Sequence, residues 1–461
     1  MNAVLPAAPG TPAHGWRTFL WLWGSQALSV LGSGLSGFAM NIYLTQTRFP
    51  LEAQRAELAA ALSLTALGWT FAASFGAPLA GALADRWDRR RIMLTCDLLG
   101  GLLLAGGVAL VTLTTPPVWV LVAYTAALGL VGTFQSSAFD TSYALLVPRH
   151  QLPRANGMMQ TIWSLSGLLS PALAALLIGL PALARAGGGP AWLAGIRDGV
   201  PLAFGIDGAT FLLAALVLWR LGIPSPLRRE VGPHPSLRQD MRFGWSFIFA
   251  RPPLLHLLLT FAAVNLLSSG IGVLHPLLVK FSLIPNEAAG GLSREAALAT
   301  LWTAMSAGGL AGGLLVSVWG GLKRQRVLGV LVPLVLAGAA QAASGALGQP
   351  GLLVPVCVAV VCFGLMTPIM NAHSQAIWQS QVPPDMQGRV FSVRRLIAQF
   401  TVPVSTALAG LLAARYAAGS LLLWSGLLLV LVAGMQLLNP VMRRVEVPLA
   451  PACVATAEVS G

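Results

Sequence analysis

The stretch Glu57–Thr114 reads ELAAALSLTALGWTFAASFGAPLAGALADRWDRRRIMLTCDLLGGLLLAGGVALVTLT. It holds two apolar runs, 57–84 and 92–114, on either side of a short charged loop. Each run supplies the ~20 residues that an α-helix needs to cross a hydrocarbon layer ~30 Å thick. Two runs joined by so short a loop are expected to be consecutive membrane spans. The whole chain repeats this pattern. Of 461 residues, 56% are hydrophobic and 9% are charged, against roughly 25% charged in an ordinary soluble domain. That balance excludes a soluble globular protein. The 28 Lys+Arg against 15 Asp+Glu leave a net charge of +13. These charges are few and scattered over short loops, which argues against a nucleic-acid partner.

Working outward, charged or Pro/Gly-rich breaks divide the chain into about twelve apolar segments. The expected spans are 17–45, 57–84, 92–114, 117–146, 156–182 and 200–222, then 252–282, 293–320, 327–347, 351–379, 391–415 and 419–440. The fold class is therefore an all-α polytopic membrane protein with twelve transmembrane helices. Residues 1–16 form a tail that lacks the basic and apolar regions of a cleavable signal. An N-terminal half, 17–222, is joined to a C-terminal half, 251–440, by the polar linker 223–250, and 441–461 is a C-tail. From Ser236 the linker has the pattern of an amphipathic surface helix. The four cysteines lie in apolar sequence and read as small hydrophobes rather than disulfide or metal ligands.

The two halves resemble each other. A single shift of 235 residues places Val147, Pro148 and Arg154 on Val382, Pro383 and Arg389, and Arg89 and Arg91 on Arg324 and Arg326. Six spans separate the copies, so two pseudo-repeated six-helix halves with parallel topology are expected. That layout places a substrate site near the bilayer midplane between the halves. Alternate loops hold 21 and 7 of the 28 basic residues. Retention of Lys and Arg on the cytoplasmic side then puts both termini and the central linker in the cytoplasm.

The loop Gly81-Ala-Leu-Ala-Asp85-Arg86-Trp-Asp88-Arg89-Arg90-Arg91 resembles the G-x-L-a-D-r-x-g-r-r loop of the major facilitator superfamily. The resemblance extends over nearly the whole chain. It implies that Gly81, Asp85, Arg86 and Arg89 to Arg91 form a conformational lock, in which the acid caps a helix and holds the outward-facing state. A carboxylate near a helix N-terminus is physically suited to that task. The second copy departs from the motif, with Gly320 and Lys323 where Asp85 and Asp88 would fall. An asymmetric lock with a single acidic latch is therefore expected. In span five, Gly167-Leu-Leu-Ser170-Pro171-Ala-Leu-Ala174-Ala175 resembles a degenerate form of that superfamily's antiporter motif, in which small residues let helices approach. The stretches 19–26, 147–156 and 204–212 resemble one branch of it, the macrolide-efflux and enterobactin-exporter type. The resemblance implies a bacterial inner (plasma) membrane and function as a monomer.

Ionisable groups inside spans cost at least ~2.5 kcal/mol on insertion scales and mark functional sites by default. Asp97 lies six residues into span three, ~9 Å at ~1.5 Å per residue, and is expected to pair with the Arg89–Arg91 cluster. Asp140, read as a lone buried carboxylate, suits reversible protonation or pairs with a loop residue such as Arg149. Asp207 has a packing role beside Gly205 and Gly208, or couples protons. Among His256, His275 and His373, the last is taken as a proton-coupling candidate, the alternative being a neutral ring satisfied by a backbone carbonyl. Gln135, Asn265, Asn371, Gln375 and Trp378 are candidate cavity linings or, equally, interhelical hydrogen-bonding and anchoring groups.

Six of the spans have no clearly central charge, which favours a moderately hydrophobic cargo. The expected function is secondary active, proton-coupled efflux of amphipathic small molecules by alternating access. The expected partners are that cargo and membrane lipid, with no cofactor, no metal and a proton gradient as energy source. An importer or facilitator, or a non-transporting receptor, are the alternatives. The sequence lacks HExxH, GxSxG and P-loop patterns and paired carboxylates, so no enzyme is expected.

Overall fold

The structure is a computed structural model that describes residues 15–147, 152–223, 245–286, 291–382 and 387–446. Its long helices are α1 (Gly15–Ile42), α2 (Arg55–Arg86), α3 (Arg89–Leu113), α4 (Val118–Leu146), α5 (Leu152–Arg185) and α6 (Val200–Arg220). They continue as α7 (Pro252–Ser268), α8 (Ile271–Leu278), α9 (Arg294–Trp319), α10 (Arg326–Ala346), α11 (Leu353–Gln381), α12 (Gln387–Ala413) and α13 (Ala418–Leu438). Among the described residues, eleven helical segments are long and apolar enough to cross a membrane. This is an integral, multi-pass membrane protein.

Two expected spans differ in detail. Span seven is broken: α7 ends at Ser268 and α8 starts at Ile271, with Ser269 and Gly270 between them. The span at 391–415 corresponds to α12, but Arg389, Arg394 and Arg395 occupy its first turns and only Phe400–Ala413 forms an apolar helix there. The part of the expected linker helix at 236–244, most of the N-tail, the C-tail beyond 446 and the loop 148–151 lie outside the described residues, while 245–249 of that linker are helical.

Helix boundaries follow local chemistry. Asp88 caps α3 by accepting the Arg91 N–H at 3.1 Å, and Ser293 caps α9 by accepting the Ala296 N–H at 3.2 Å. Both satisfy N–H groups that the first helical turn leaves unpaired. At the end of α9, Gly320 takes φ +76°, a left-handed conformation that favours glycine. Gly320 stands where the repeat shift would place the acidic latch, so the departure of the second copy from the motif has a backbone reason. The shift of 235 also recurs in the elements themselves: Val118–Leu146 maps onto Leu353–Gln381, and the start of α5 at Leu152 onto the start of α12 at Gln387. The π-helical turn Tyr43–Arg48, which ends the first span, has its counterpart in Val279–Leu283.

The chain forms two compact units, 1–43 with 68–230, and 44–67 with 231–461. In the first, α1 packs on α5 and α6, and α3 on α4 and α6. Phe19, Leu22, Met93, Phe139, Leu146 and Leu218 form part of its core. In the second, α10 lies against α11 and α13, and α9 against α11. Glycines permit these approaches. A Cβ on Gly129 would come within 2.6 Å of the Trp69 carbonyl oxygen, and one on Gly426 within 2.6 Å of the Gly338 carbonyl oxygen. In lipid, where apolar burial between helices gives little advantage, such close van der Waals seams hold helices together.

Candidate functional site

In the first unit, buried polar chemistry centres on Asp207 of α6, which is 1% exposed. Its carboxylate accepts hydrogen bonds from the hydroxyls of Ser36 and, at 3.5 Å, of Ser33, both on α1. Gly32 makes room for it, since a Cβ there would lie 2.6 Å from Asp207 Oδ1. Thr210 donates its hydroxyl to the Asp207 carbonyl oxygen at 2.7 Å. Asp207 is therefore more than a packing residue: it holds α1 and α6 together through an ionisable group. Ser33 and Ser36 were not singled out in the sequence. Their only signal is a helical i, i+3 spacing around Gly32 and Gly34.

Alongside, the antiporter-like stretch of α5 forms a hydrogen-bonded seam with α1. Ser170 donates to the Leu31 carbonyl oxygen at 2.9 Å and Ser166 to that of Val30 at 3.0 Å. Pro171 and Ala174 are buried and Gly167 half-buried. Gly34 is the matching cavity on α1, because its Cβ would lie 2.6 Å from Ser170 Cβ.

The basic loop divides its labour. Arg89 is buried at 8% exposure. Arg90 donates through Nε to the Leu218 carbonyl oxygen at 3.0 Å and through Nη2 to that of Trp219, so it caps the C-terminal end of α6, where a cation is favoured. Arg91 is exposed, and Gly81 is half-buried. The side chains of Asp85 and Arg86 lie outside the described residues. Asp97 corrects the sequence expectation. It is fully buried, and neither carboxylate oxygen has a hydrogen-bond partner, so it does not pair with the arginine cluster. Of that cluster, Arg90 is spent on the end of α6 and Arg91 is exposed. Asp140 is exposed rather than buried. On the same helix, buried Gln135 leaves both Oε1 and Nε2 without partners.

In the second unit, His373 is committed to structure. Its Nε2 accepts the Leu322 N–H at 2.8 Å and its Nδ1 lies 2.7 Å from the Ile369 carbonyl oxygen. With both ring nitrogens engaged by backbone, it anchors the second basic loop to α11 and has no free nitrogen for relaying protons. Gly329 supplies the room, since a Cβ there would meet the ring at 2.5 Å. Trp378 is core rather than cavity lining, at 1% exposure, with the Arg394 guanidinium 5.3 Å from its ring centroid. Gln375 accepts from Arg394 at 2.7 Å. Asn371 is exposed and Asn265 partly buried.

Two buried groups escaped the sequence reading. Gln341 of α10 bridges the break in span seven. It donates to the Leu267 carbonyl oxygen at 3.0 Å and to Ser425 at 2.7 Å, and accepts from Ser268 at 3.0 Å. Lys280, 2% exposed, donates to the carbonyl oxygens of Thr45 and Phe49. It thereby satisfies the end of the π-helical turn that closes the first span. Each had a signal: a lone Gln in the run GAAQAASG, and a lysine within an apolar segment.

A chain with duplicated helical elements and buried ionisable groups inside its spans invites comparison with known proteins. The family model described as Major Facilitator Superfamily matches residues 22–406. The chain belongs to the Major Facilitator Superfamily. As a superfamily member, it is 27% identical over 425 residues to macrolide efflux protein A of Streptococcus pyogenes, covering 91% of this chain and 95% of that one. It is 26% identical over 399 residues to multidrug efflux pump Tap of Mycolicibacterium fortuitum, covering 84% and 88%. Among solved structures, a bacterial homologue of the human lysosomal transporter Spinster matches with a TM-score of 0.67 at 17% identity, covering 96% of this chain and all of that one. The last likeness shows the fold alone.

Proposed function

We propose that this superfamily member is a secondary active exporter of amphipathic small molecules in the bacterial plasma membrane. It works by alternating access, with both termini in the cytoplasm and a proton gradient as its energy source. The observation that carries the reading is full-length similarity to efflux proteins from two genera, together with a transport-type site rather than a catalytic one. Asp207 is the proposed proton carrier. A carboxylate can accept hydrogen bonds when ionised and donate one when protonated, and hydroxyl partners serve both states because each is donor and acceptor. Ser33 and Ser36 thus allow a proton to come and go without stranding a buried group. The exchange alters the charge where α1 meets α6, which is how a proton biases one conformation over another.

The test uses everted membrane vesicles energised with a pH gradient and followed with a pH-sensitive dye while amphipathic compounds, macrolides included, are added. Substrate-dependent collapse of the gradient in vesicles carrying the protein, and not in those lacking it, is the expected result. Uptake of compound with no proton movement would leave a facilitator. No movement of either, with folded protein present, would defeat the transport reading.

A further inference from the structure

We infer that the first unit carries a binding groove for an anionic phospholipid, with the phosphate on Arg91 and one acyl chain between α2, α3 and α4. The groove has a volume of about 610 Å³ and is lined largely by apolar groups. Trp87 and Arg91 line it at the loop end of α3, Ile92, Thr95 and Leu99 further along that helix, and Leu130 and Phe134 from α4. The amphipathic order along α3 matches a lipid. Trp87 at the loop end is 61% exposed, a placement typical of indoles at the boundary between headgroups and hydrocarbon. From Arg91 to Leu99 the groove follows α3 for ~12 Å at ~1.5 Å per residue, most of the ~15 Å that one leaflet of a ~30 Å core provides.

Charge selects the headgroup. The three consecutive arginines of the loop have different fates: Arg89 is buried and Arg90 is bound to the end of α6. Arg91 alone combines an exposed side chain with a place on the groove wall. Asp88 also lines the groove, but its carboxylate caps the start of α3, where it accepts the Arg91 N–H at 3.1 Å. An exposed guanidinium beside an apolar slot meets phosphate with paired donors. Zwitterionic lipid offers the same phosphate with a compensating cation, so the anionic lipid gains more.

The test is native mass spectrometry of the purified full-length chain, released from micelles containing phosphatidylglycerol or phosphatidylcholine with identical acyl chains. The wild type is expected to retain one phosphatidylglycerol in preference to phosphatidylcholine. Arg91→Gln is expected to lower that preference roughly tenfold, as for loss of one charge-assisted contact. Thr95→Trp, which fills the groove, should abolish retention of either lipid at this site, while Arg324→Gln, removing an exposed charge from the other basic loop, should change nothing. Inorganic phosphate in excess should not displace the lipid, because the acyl chain supplies part of the hold. An equal loss in Arg324→Gln, or full retention in Thr95→Trp, would overturn the site in favour of unspecific annular lipid, and displacement by phosphate would reduce it to an anion site. These readouts need no transport, so the groove stands or falls separately from the export reading.

Discussion

Replacing Asp207 by Asn separates a proton carrier from a structural buried polar group. The amide keeps the volume of the carboxylate and one acceptor oxygen, so the Ser36 hydroxyl beside it retains a partner. Interhelical hydrogen bonds in membrane proteins average ~0.6 kcal/mol, so the variant should lose less than about 1 kcal/mol of stability. Asp207→Leu removes the acceptor of both serine hydroxyls, but Ser33 is exposed and the Ser36 hydroxyl keeps the Ser33 carbonyl oxygen at 3.3 Å. At ~0.6 kcal/mol for each interhelical hydrogen bond lost, that variant should melt only modestly below the wild type. Function should diverge from stability. A gradient of one pH unit is worth about 1.4 kcal/mol per proton, enough for roughly tenfold substrate accumulation against its gradient. With a permanently uncharged side chain at position 207, that accumulation should fall to the passive value. Substrate-for-substrate counterflow should persist, because it requires the conformational cycle but no net proton movement. The assay is paired measurement of gradient-driven uptake and counterflow in everted vesicles or proteoliposomes. Gradient-driven accumulation at the wild-type level in Asp207→Asn would refute the assignment. If Asp97→Asn then lost it, the proton would belong to the partnerless carboxylate of α3.

Three further outcomes follow from single contacts. His373→Ala frees the Leu322 N–H that the ring accepts at 2.8 Å; it should lower the melting temperature by the equivalent of about 1–3 kcal/mol while leaving the ratio of driven uptake to counterflow unchanged. Lys280→Met strands the carbonyl oxygens of Thr45 and Phe49, and should raise the reactivity of cysteines introduced singly in 44–54 toward a membrane-impermeant reagent; unaltered labelling would show that the lysine does not hold that segment. Gln341→Leu removes the bridge between Leu267, Ser268 and Ser425, and hydrogen exchange at Ser269–Ile271 should accelerate severalfold relative to the wild type.

The parts of the fold legible in the sequence were those governed by a one-dimensional quantity. Apolar run length marked the spans because lipid thickness leaves few alternatives, and the basic loop marked the boundary between α2 and α3. The 235-residue shift was legible because Val-Pro and Arg recur at fixed spacing, and the same shift reappears in the boundaries of α4 and α11. Side-chain partnership was harder to read, because a helix places polar residues at intervals of three and four without stating which neighbour they face. Asp97 and Asp207 look alike in sequence, each an acid within an apolar run. One is buried with neither carboxylate oxygen hydrogen-bonded, and the other meets two serines 171 and 174 residues away. His373 and Gln341 show the same limit from opposite sides: a histidine that looked functional is spent on a backbone loop, and a glutamine that looked incidental spans a broken helix. The candidate site therefore depends on which helices meet. In this chain that is set by glycines such as Gly32 and Gly34, whose missing Cβ lets α1 approach Asp207 on one side and Ser170 on the other.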